Sequence, residues 1–554
     1  MKKNMYKLIA LFLSLFFAFS TSVCSLADEP NLSVYGEGKY PITEEPIVLK
    51  AFATRIVPSH SWDIKTNWTT KFMEQVTNIH IEWEEIIGDE NQQAQKLNLK
   101  LISGDYPDIF LSTPMSRAQL QYYGSLGTLI PLNDLIEKYA PNFKKVMEEN
   151  PGLKESITAP DGNIYGLPSV SQAYHTLAPN KTWVYKPWME KLGLEYPKTT
   201  EDLYNVLLAF RDNDPNGNGK KDEIPIASPD INGIYNYIMN AFVYYDGTYT
   251  KLEDGKISFI ANTNEFKEGL RYLHKLYSEN LIIQNIYTMD KQQLMALTMA
   301  DTNIVGAVSS LWMGGFVSSS LAQDPNSRFW EFTGSFETLA GPTGIKETVY
   351  KAPDYVGNTF SITNVCKYPV EAIKWVDFIY NIYNDMNVHY GPQWDTEEQL
   401  QSAGYGWRKA QEGELGNNGK PAIWKYVGFQ SDNNAGYGCK VVPSYQPSEM
   451  HSGQVASDTA TNYEGVLWQV TDKNYMPYAV NKSVPGLYMD EDASSTIAEY
   501  QVLLKTYVAE KMALFVTGEL NIDNDWDSYV NELNALGVND YLKIYQEQFD
   551  KSGR

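Results

Sequence analysis

IVLKAFATRIVPSHSWDIKTNWTTKFMEQVTNIHIEWEEI, residues Ile47 to Ile86, changes its apolar period twice within forty positions. Ile47 to Phe52 is the short apolar run of a buried strand. Trp68 to Val76 carries apolar residues at helical spacing, and Ile79-His80-Ile81-Glu82-Trp83 alternates as a strand should. A further helix closes over Leu97 to Ser103 ahead of Gly104, and Asp108-Ile109-Phe110-Leu111 supplies a third strand. The order βαβαβ calls for a parallel sheet with helices on its faces.

A second block of the same kind follows Pro168. Trp183-Val184-Tyr185 reads as a strand, and Thr199-Thr200-Glu201-Asp202 opens, as a capping box, a helix bearing Leu203, Val206, Leu207 and Phe210. Glu265 to Tyr277 forms an amphipathic helix with Phe266, Leu270, Leu273 and Tyr277 on one face. Toward the C-terminus the pattern becomes helical. Ile497, Tyr500, Leu504, Tyr507, Val508 and Phe515 make a stripe ending at Gly518, and Trp526 to Leu536 a shorter one ending at Gly537. A last helix starts at Asp540.

The first residues are of another kind. Lys2, Lys3 and Lys7 precede the apolar run Leu8 to Phe19, too short to span a bilayer, and Ser25-Leu26-Ala27 offers a small-residue cleavage site. Residues 1–27 are therefore expected to be a signal peptide, and 28–46, polar and broken by Gly36, Gly38, Pro41 and Pro46, a flexible tether. Cys24 leaves a second exit open, a lipid anchor, against which Val23 is a poor preceding residue. About 527 residues follow Ala27, too many for one hydrophobic core.

The formal charge of −23 excludes a nucleic-acid partner, which requires clustered Lys and Arg. Cys366 and Cys439 cannot staple a chain this long, and two buried free thiols are expected in preference to a disulfide. No catalytic motif emerges. His60, His80, His175, His274, His389 and His451 fall in no zinc-hydrolase spacing, and no GxSxG elbow, Walker A loop or GxGxxG follows a strand. Facing carboxylates of a glycosidase remain open, because acidic pairs arise by chance among 68 acidic residues.

DNDPNGNGKKDE, Asp212 to Glu223, is the most specific chemical signal. Hard cations take oxygens from alternate positions of a tight, glycine-containing turn. Asp214, Asn216 and Asn218 alternate, Lys220 offers its carbonyl, and Asp222 with Glu223 closes the set. A register starting at Asp212 also fits, with Gly219 where a hydrophobic residue is usual. The alternative is a polar surface turn.

Aromatic residues, 13 Trp and 39 Tyr, exceed what packing demands and point to a stacking ligand. A sugar ring stacks its CH face on an aromatic ring and needs a polar rim for its hydroxyls. Trp62 and Asp63, Tyr174, Trp312 before Gly314-Gly315, Trp394 before Asp395, and Trp407 with Arg408 meet that description. Trp83, Trp188, Trp375 and Trp526 occupy apolar faces and are expected in the core.

Several short motifs together carry a family resemblance: SGDYPDI (Ser103–Ile109), DGNIYGLP (Asp161–Pro168), WMEKLGL (Trp188–Leu194), Asp214 to Pro225, FKEGL (Phe266–Leu270), and Thr517-Gly518 with Asp525-Trp526. In order and spacing the chain resembles the extracellular solute-binding proteins of ABC sugar importers, in the subgroup of alginate-binding receptors and LplA-type lipoproteins. The resemblance implies an α/β, two-lobed, type II periplasmic-binding-protein-like fold with central sheets, flanking helices and a helical tail. Lobe one would comprise 47–167 and about 355–445, and lobe two 168–354 and about 446–554. It further implies a monomer that clasps an oligosaccharide between its lobes without covalent chemistry and delivers it to the transmembrane subunits of an ABC permease. A structural calcium ion would sit in lobe two away from the cleft, on Asp214, Asn216, Asn218, the Lys220 carbonyl, Asp222 and Glu223. Tyr390 to Tyr405 departs from the family pattern, so the pocket is this chain's own. Two other classes share these features: a secreted glycan-active enzyme, and a binding module for a sensory partner.

Overall fold

The computed structural model describes residues 38–54, 61–63, 65–87, 90–351, 359–427, 434–437, 442–456, 463–487, 489 and 491–552. The expected signal peptide, Cys24, His60 and Cys439 lie outside the described residues.

Two four-stranded sheets organise the chain. In the first, Ile47–Thr54 pairs in parallel with Ile79–Ile86 on one side and Ile109–Leu111 on the other, and Phe360–Ile362 adds antiparallel at the edge. Asn67 accepts from the Thr70 N–H to start the intervening helix Trp68–Thr77, which Asn78 ends in the left-handed region at φ 60°. In the second sheet Ile224–Ala227 runs parallel to Val305–Ser309. Thr182–Val184 pairs antiparallel with both Val305–Ser309 and Gly334–Ser335.

Each sheet has its own core. One gathers apolar residues from 49–170 and 360–445, the other from 178–339 and 467–549. The capping box of Thr199 and Asp202 opens helix Thr200–Asp212. Helix Asn264–Ser278 buries Phe266, Leu270, Leu273 and Leu276, while Tyr277 stays at the edge and donates to the Gln284 carbonyl. The C-terminal helices Glu491–Thr517, Trp526–Ala535 and Val538–Lys551 add Leu504, Phe515, Trp526, Tyr529 and Tyr541 to the second core. The last of them starts at Val538 and not at Asp540, because Gly537 turns the chain at φ 89°.

The segment expected to be a free tether is docked from Tyr40 onward. The Tyr40 ring meets Phe378 edge-on at 5.2 Å, and the Ile42 N–H donates to the Thr77 carbonyl. The polar composition of that stretch conceals two apolar anchors at alternate positions. Cys366 is a free, half-buried thiol, and burial pushes it up to about 11.

Asp377 shows how distant sequence closes the first lobe. It is 3% exposed, and its carboxylate accepts from the Phe143 N–H at 2.8 Å and from Asn142 Nδ2 at 2.9 Å. Helix Pro141–Glu149 has no side-chain cap of its own at Ala140, so a carboxylate some 234 positions away satisfies its first N–H groups. Asp377→Ala is expected to lower the stability of this lobe by about 2–3 kcal/mol, read as an earlier urea midpoint. An unchanged midpoint would show that water caps the helix equally well.

Candidate functional site

Residues of the two cores alternate along the chain, so it passes from one to the other through Gln172–Lys181, again ahead of Thr359, and again after Gln446. Two of these passages fix where the sheets' carboxyl ends lie. The Ser112 N–H donates to the Thr359 carbonyl, and the Ser310 N–H to the Lys181 carbonyl, at 3.0 and 2.9 Å. Ser112 follows strand Ile109–Leu111, and Ser310 follows Val305–Ser309. The carboxyl ends of both parallel strand pairs therefore abut the crossings, and open α/β sheets bind ligands at such ends.

The first sheet is short of hydrogen-bond partners at that end. The hydroxyls of Thr54, Ser112 and Thr113 and the indole nitrogens of Trp62 and Trp83 are buried with no partner among the described residues. A buried polar group left unpaired costs about 1–3 kcal/mol, which a hydroxyl-rich ligand would recover. Ser112 also sits in the left-handed region at φ 49°, a conformation imposed on a residue other than glycine.

From the second sheet comes an aromatic surface. Trp312 is half-buried, and its indole lies so close to the next turn that a Cβ on Gly314 would stand 2.3 Å from it. The pair Gly314-Gly315 is thus a steric condition for the ring's orientation, since a Cβ on Gly315 would meet Ser310 Oγ at 2.4 Å. Trp312 contacts Tyr463 at 5.9 Å, and the Tyr463 and Tyr426 hydroxyls meet at 3.1 Å. Tyr426 packs at 5.1 Å from Tyr390 and at 5.3 Å from Trp424. A continuous run of rings therefore leads from the second lobe across to the first.

The remaining sequence candidates are dispersed. Trp62 is 2% exposed, packed on Trp83 at 4.3 Å and facing Tyr437, while the adjacent Asp63 is exposed and caps the Lys65 N–H. Tyr174 stacks on Trp468 at 5.2 Å and donates to Asp472. That pair lines a cavity of about 520 Å3 with Asn418, Lys420, Ser448 and Glu449. Trp394 is half-buried, its indole N–H donating to the Tyr405 carbonyl. Trp407 is fully buried against Tyr383, donating to Asn387, and Arg408 is held by Glu397 and, through two bonds, by Glu414. Burial pushes Glu397 up, yet hydrogen bonds from Lys425, Gln401 and Arg408 hold it down at about 2. An aromatic between Gly406 and Arg408 reads alike for a cleft loop and for the buried strand Gly406–Lys409 that is found.

Sequence reasoning missed Tyr463, Tyr426 and the hydroxyls of Ser112 and Thr113. The Tyr463–Tyr426 contact joins residues 37 positions apart with no local signal between them.

The loop after helix Thr200–Asp212 is tightly folded. Asp214 accepts from the N–H groups of Gly217, Asn218 and Gly219, and Asn218 Oδ1 from the Lys220 N–H. Asp214, Gly217 and Gly219 are all left-handed, which the two glycines permit freely. Asp212, by contrast, turns to Arg211 at 2.7 Å, so the converging side chains are those of the register that starts at Asp214. Asp222 is held by the Asn216 and Asn218 amides. Among the described residues no three His, Cys, Asp or Glu side chains form a ready-made metal cluster. The loop nevertheless fits a cation. Among the described residues Glu223 Oε1 is buried without a partner, and burial together with the Asp222 and Asp214 charges raises this carboxyl. Adjacent carboxylates with one orphaned oxygen suit a hard divalent ion, completed by amide and backbone oxygens.

Residues 63–381 match the family model described as bacterial extracellular solute-binding protein. The chain is 29% identical over 550 residues to the fructooligosaccharide ABC transporter substrate-binding protein FusA of Streptococcus pneumoniae, covering 95% of this chain and 94% of that one. Solved structures of FusA superpose with TM-score 0.72. One is in complex with kestose at 27% identity, covering 91% of this chain and 99% of that one. Another, at 26% identity with the same coverage, is an EF-hand mutant in complex with fructo-nystose.

Proposed function

This chain belongs to the bacterial extracellular solute-binding protein family, and from that premise we propose that it captures an oligosaccharide between its lobes and hands it to an ABC permease. The observations that carry the reading are the half-buried Trp312, just beyond the carboxyl end of Val305–Ser309, and the hydroxyls of Ser112 and Thr113, just beyond that of Ile109–Leu111 and unpartnered among the described residues. Aromatic faces take the CH side of a sugar and hydroxyls take its rim. Tyr463 and Tyr426 extend the platform, and Trp62, Asp63, Tyr174 and Trp394 are the flanking candidates. Binding favours the closed arrangement of the lobes, a population shift about the crossing segments. A fructose-containing oligosaccharide is the first ligand to try, given the relative's substrate.

Titration calorimetry across fructo-, galacto- and uronate oligosaccharides is expected to find a saturable binder. Uniform silence across such a panel, with peptides binding instead, would sink the reading. Product accumulating on long incubation would favour a glycan-active enzyme.

The loop from Asp214 to Glu223 holds calcium in this reading, through Asp214, Asn216, Asn218, the Lys220 carbonyl, Asp222 and Glu223. The ion supplies cross-linking charge to a lobe that has no disulfide among its described residues. Lys191 ties the loop to helix Lys186–Leu192 by donating to the Pro215 carbonyl at 2.9 Å. Export through residues 1–27 places the receptor outside the cell. Cleavage after Ala27 frees it and acylation of Cys24 anchors it, two outcomes that differ in the mass of the mature chain.

A further inference from the structure

The crossings hold a set of titratable side chains that ligand capture does not use. Glu464, on helix Tyr463–Val470, places Oε1 3.0 Å from His175 Nδ1 and 3.9 Å from His451 Nδ1. His175 belongs to the first crossing and His451 to the third, so one carboxylate is shared by imidazoles of two segments that must twist when the lobes move. Lys181, 1% exposed at the end of the first crossing, donates to the His175 and Ala178 carbonyls and lies 5.6 Å over the Tyr475 ring. From the first lobe, helix Ile382–Tyr390 presents Asp385, which holds the Tyr445 N–H and contacts His389 at 3.1 Å. Glu449, on the helix of His451, lines the neighbouring cavity instead.

We propose that this cluster is a proton-operated joint: uptake of a proton by His451, beside a Glu464 carboxylate already engaged by His175, favours separation of the crossings and opening of the lobes. A protonated His451 would lie in a site closed to water, beside a carboxylate that His175 already engages, and an opened joint hydrates it. Among the described residues His451 Nε2 is buried without a partner, so no acceptor for the added proton is present there.

The electrostatics run the same way. Burial lowers His451, and burial lowers Lys181 to about 7, each against the attraction of Glu464. Both groups bind protons more weakly in the joint as built than when hydrated. Lys181 gives up its contribution as pH falls from its ordinary range to about 7, and His451 adds a loss as pH falls through the ordinary histidine range. Glu464 is itself held below the usual carboxylate range: burial pushes it up, but His175, His451 and Lys181 outweigh that, so its contribution persists until pH falls well below the histidine window.

Small-angle scattering of the ligand-free protein at pH 7.5 and 5.5 tests this without knowledge of the sugar, and independently of the oligosaccharide reading. The wild type is expected to expand reversibly at pH 5.5, whereas the variant His451→Gln keeps one radius of gyration at both; the same holds for the double variant His175→Gln/His451→Gln. No expansion in the wild type, or the same expansion in the double variant, overturns the proposal. Should the variant not fold, histidine-labelled wild type decides by NMR. The buried imidazole resonances are expected to shift with the midpoint of the expansion, and midpoints separated by about one pH unit or more overturn the assignment.

Discussion

Chelating calcium is expected to lower the melting temperature of this protein by about 10 °C. The effect is one of mass action. An ion bound only by the folded loop, present at about a thousand times its dissociation constant, contributes about 4 kcal/mol, and a lobe of about 200 residues shifts by about 2–4 °C per kcal/mol. The structural ground is Glu223, whose buried, unpaired oxygen beside Asp222 and Asp214 stores repulsion that a divalent ion relieves. Glu223→Gln should reproduce much of the loss and make the melting curve insensitive to EDTA. Because the loop follows helix Thr200–Asp212 on the far side from Ser228 and Ser310, sugar affinity at low temperature should be nearly unaffected. A melting curve unmoved by EDTA, with affinity lost, would make the ion part of the ligand site.

The second large effect concerns Trp312. Trp312→Ala is expected to weaken oligosaccharide binding about a hundredfold, from the loss of about 100 Å2 of stacked apolar surface, about 3 kcal/mol. Folding should survive, since the ring is only half-buried. Trp407→Ala is the informative contrast. Trp407 is fully buried, and its loss should cost stability of about 3–5 kcal/mol with little direct effect on affinity. Calorimetry and thermal melting on both variants separate the roles. If Trp312→Ala binds as the parent does, the platform lies elsewhere, and the cavity beside Tyr174 and Trp468 becomes the leading site.

Local chemistry explains what could be read early. Ile47 to Ile86 declares a βαβ unit because strand and helix periods are visible within a few residues, and Thr199 with Asp202 writes its own cap. The loop after Asp212 is legible for the same reason, since all its oxygens come from one turn. Tryptophans were harder. Trp407 follows Gly406 and Trp312 stands two residues before Gly314-Gly315, yet one is fully buried against Tyr383 and the other stays half-buried beside Tyr463. Flanking glycines mark close approach to a ring and do not say which side water occupies.

The amino-acid order alone specified an α/β chain of two sheet-centred blocks, a helical tail and one oxygen-rich loop, because each is encoded over short range. Tertiary structure decided which hydroxyls stay unpaired at Ser112 and Thr113, that Tyr463 meets Tyr426, that Asp377 caps a helix 234 positions away, and that Glu464 is shared by His175 and His451. The physical reason is common to all four. Hydrogen-bond satisfaction and charge pairing depend on distances across the closed fold, and no periodicity in the chain records them.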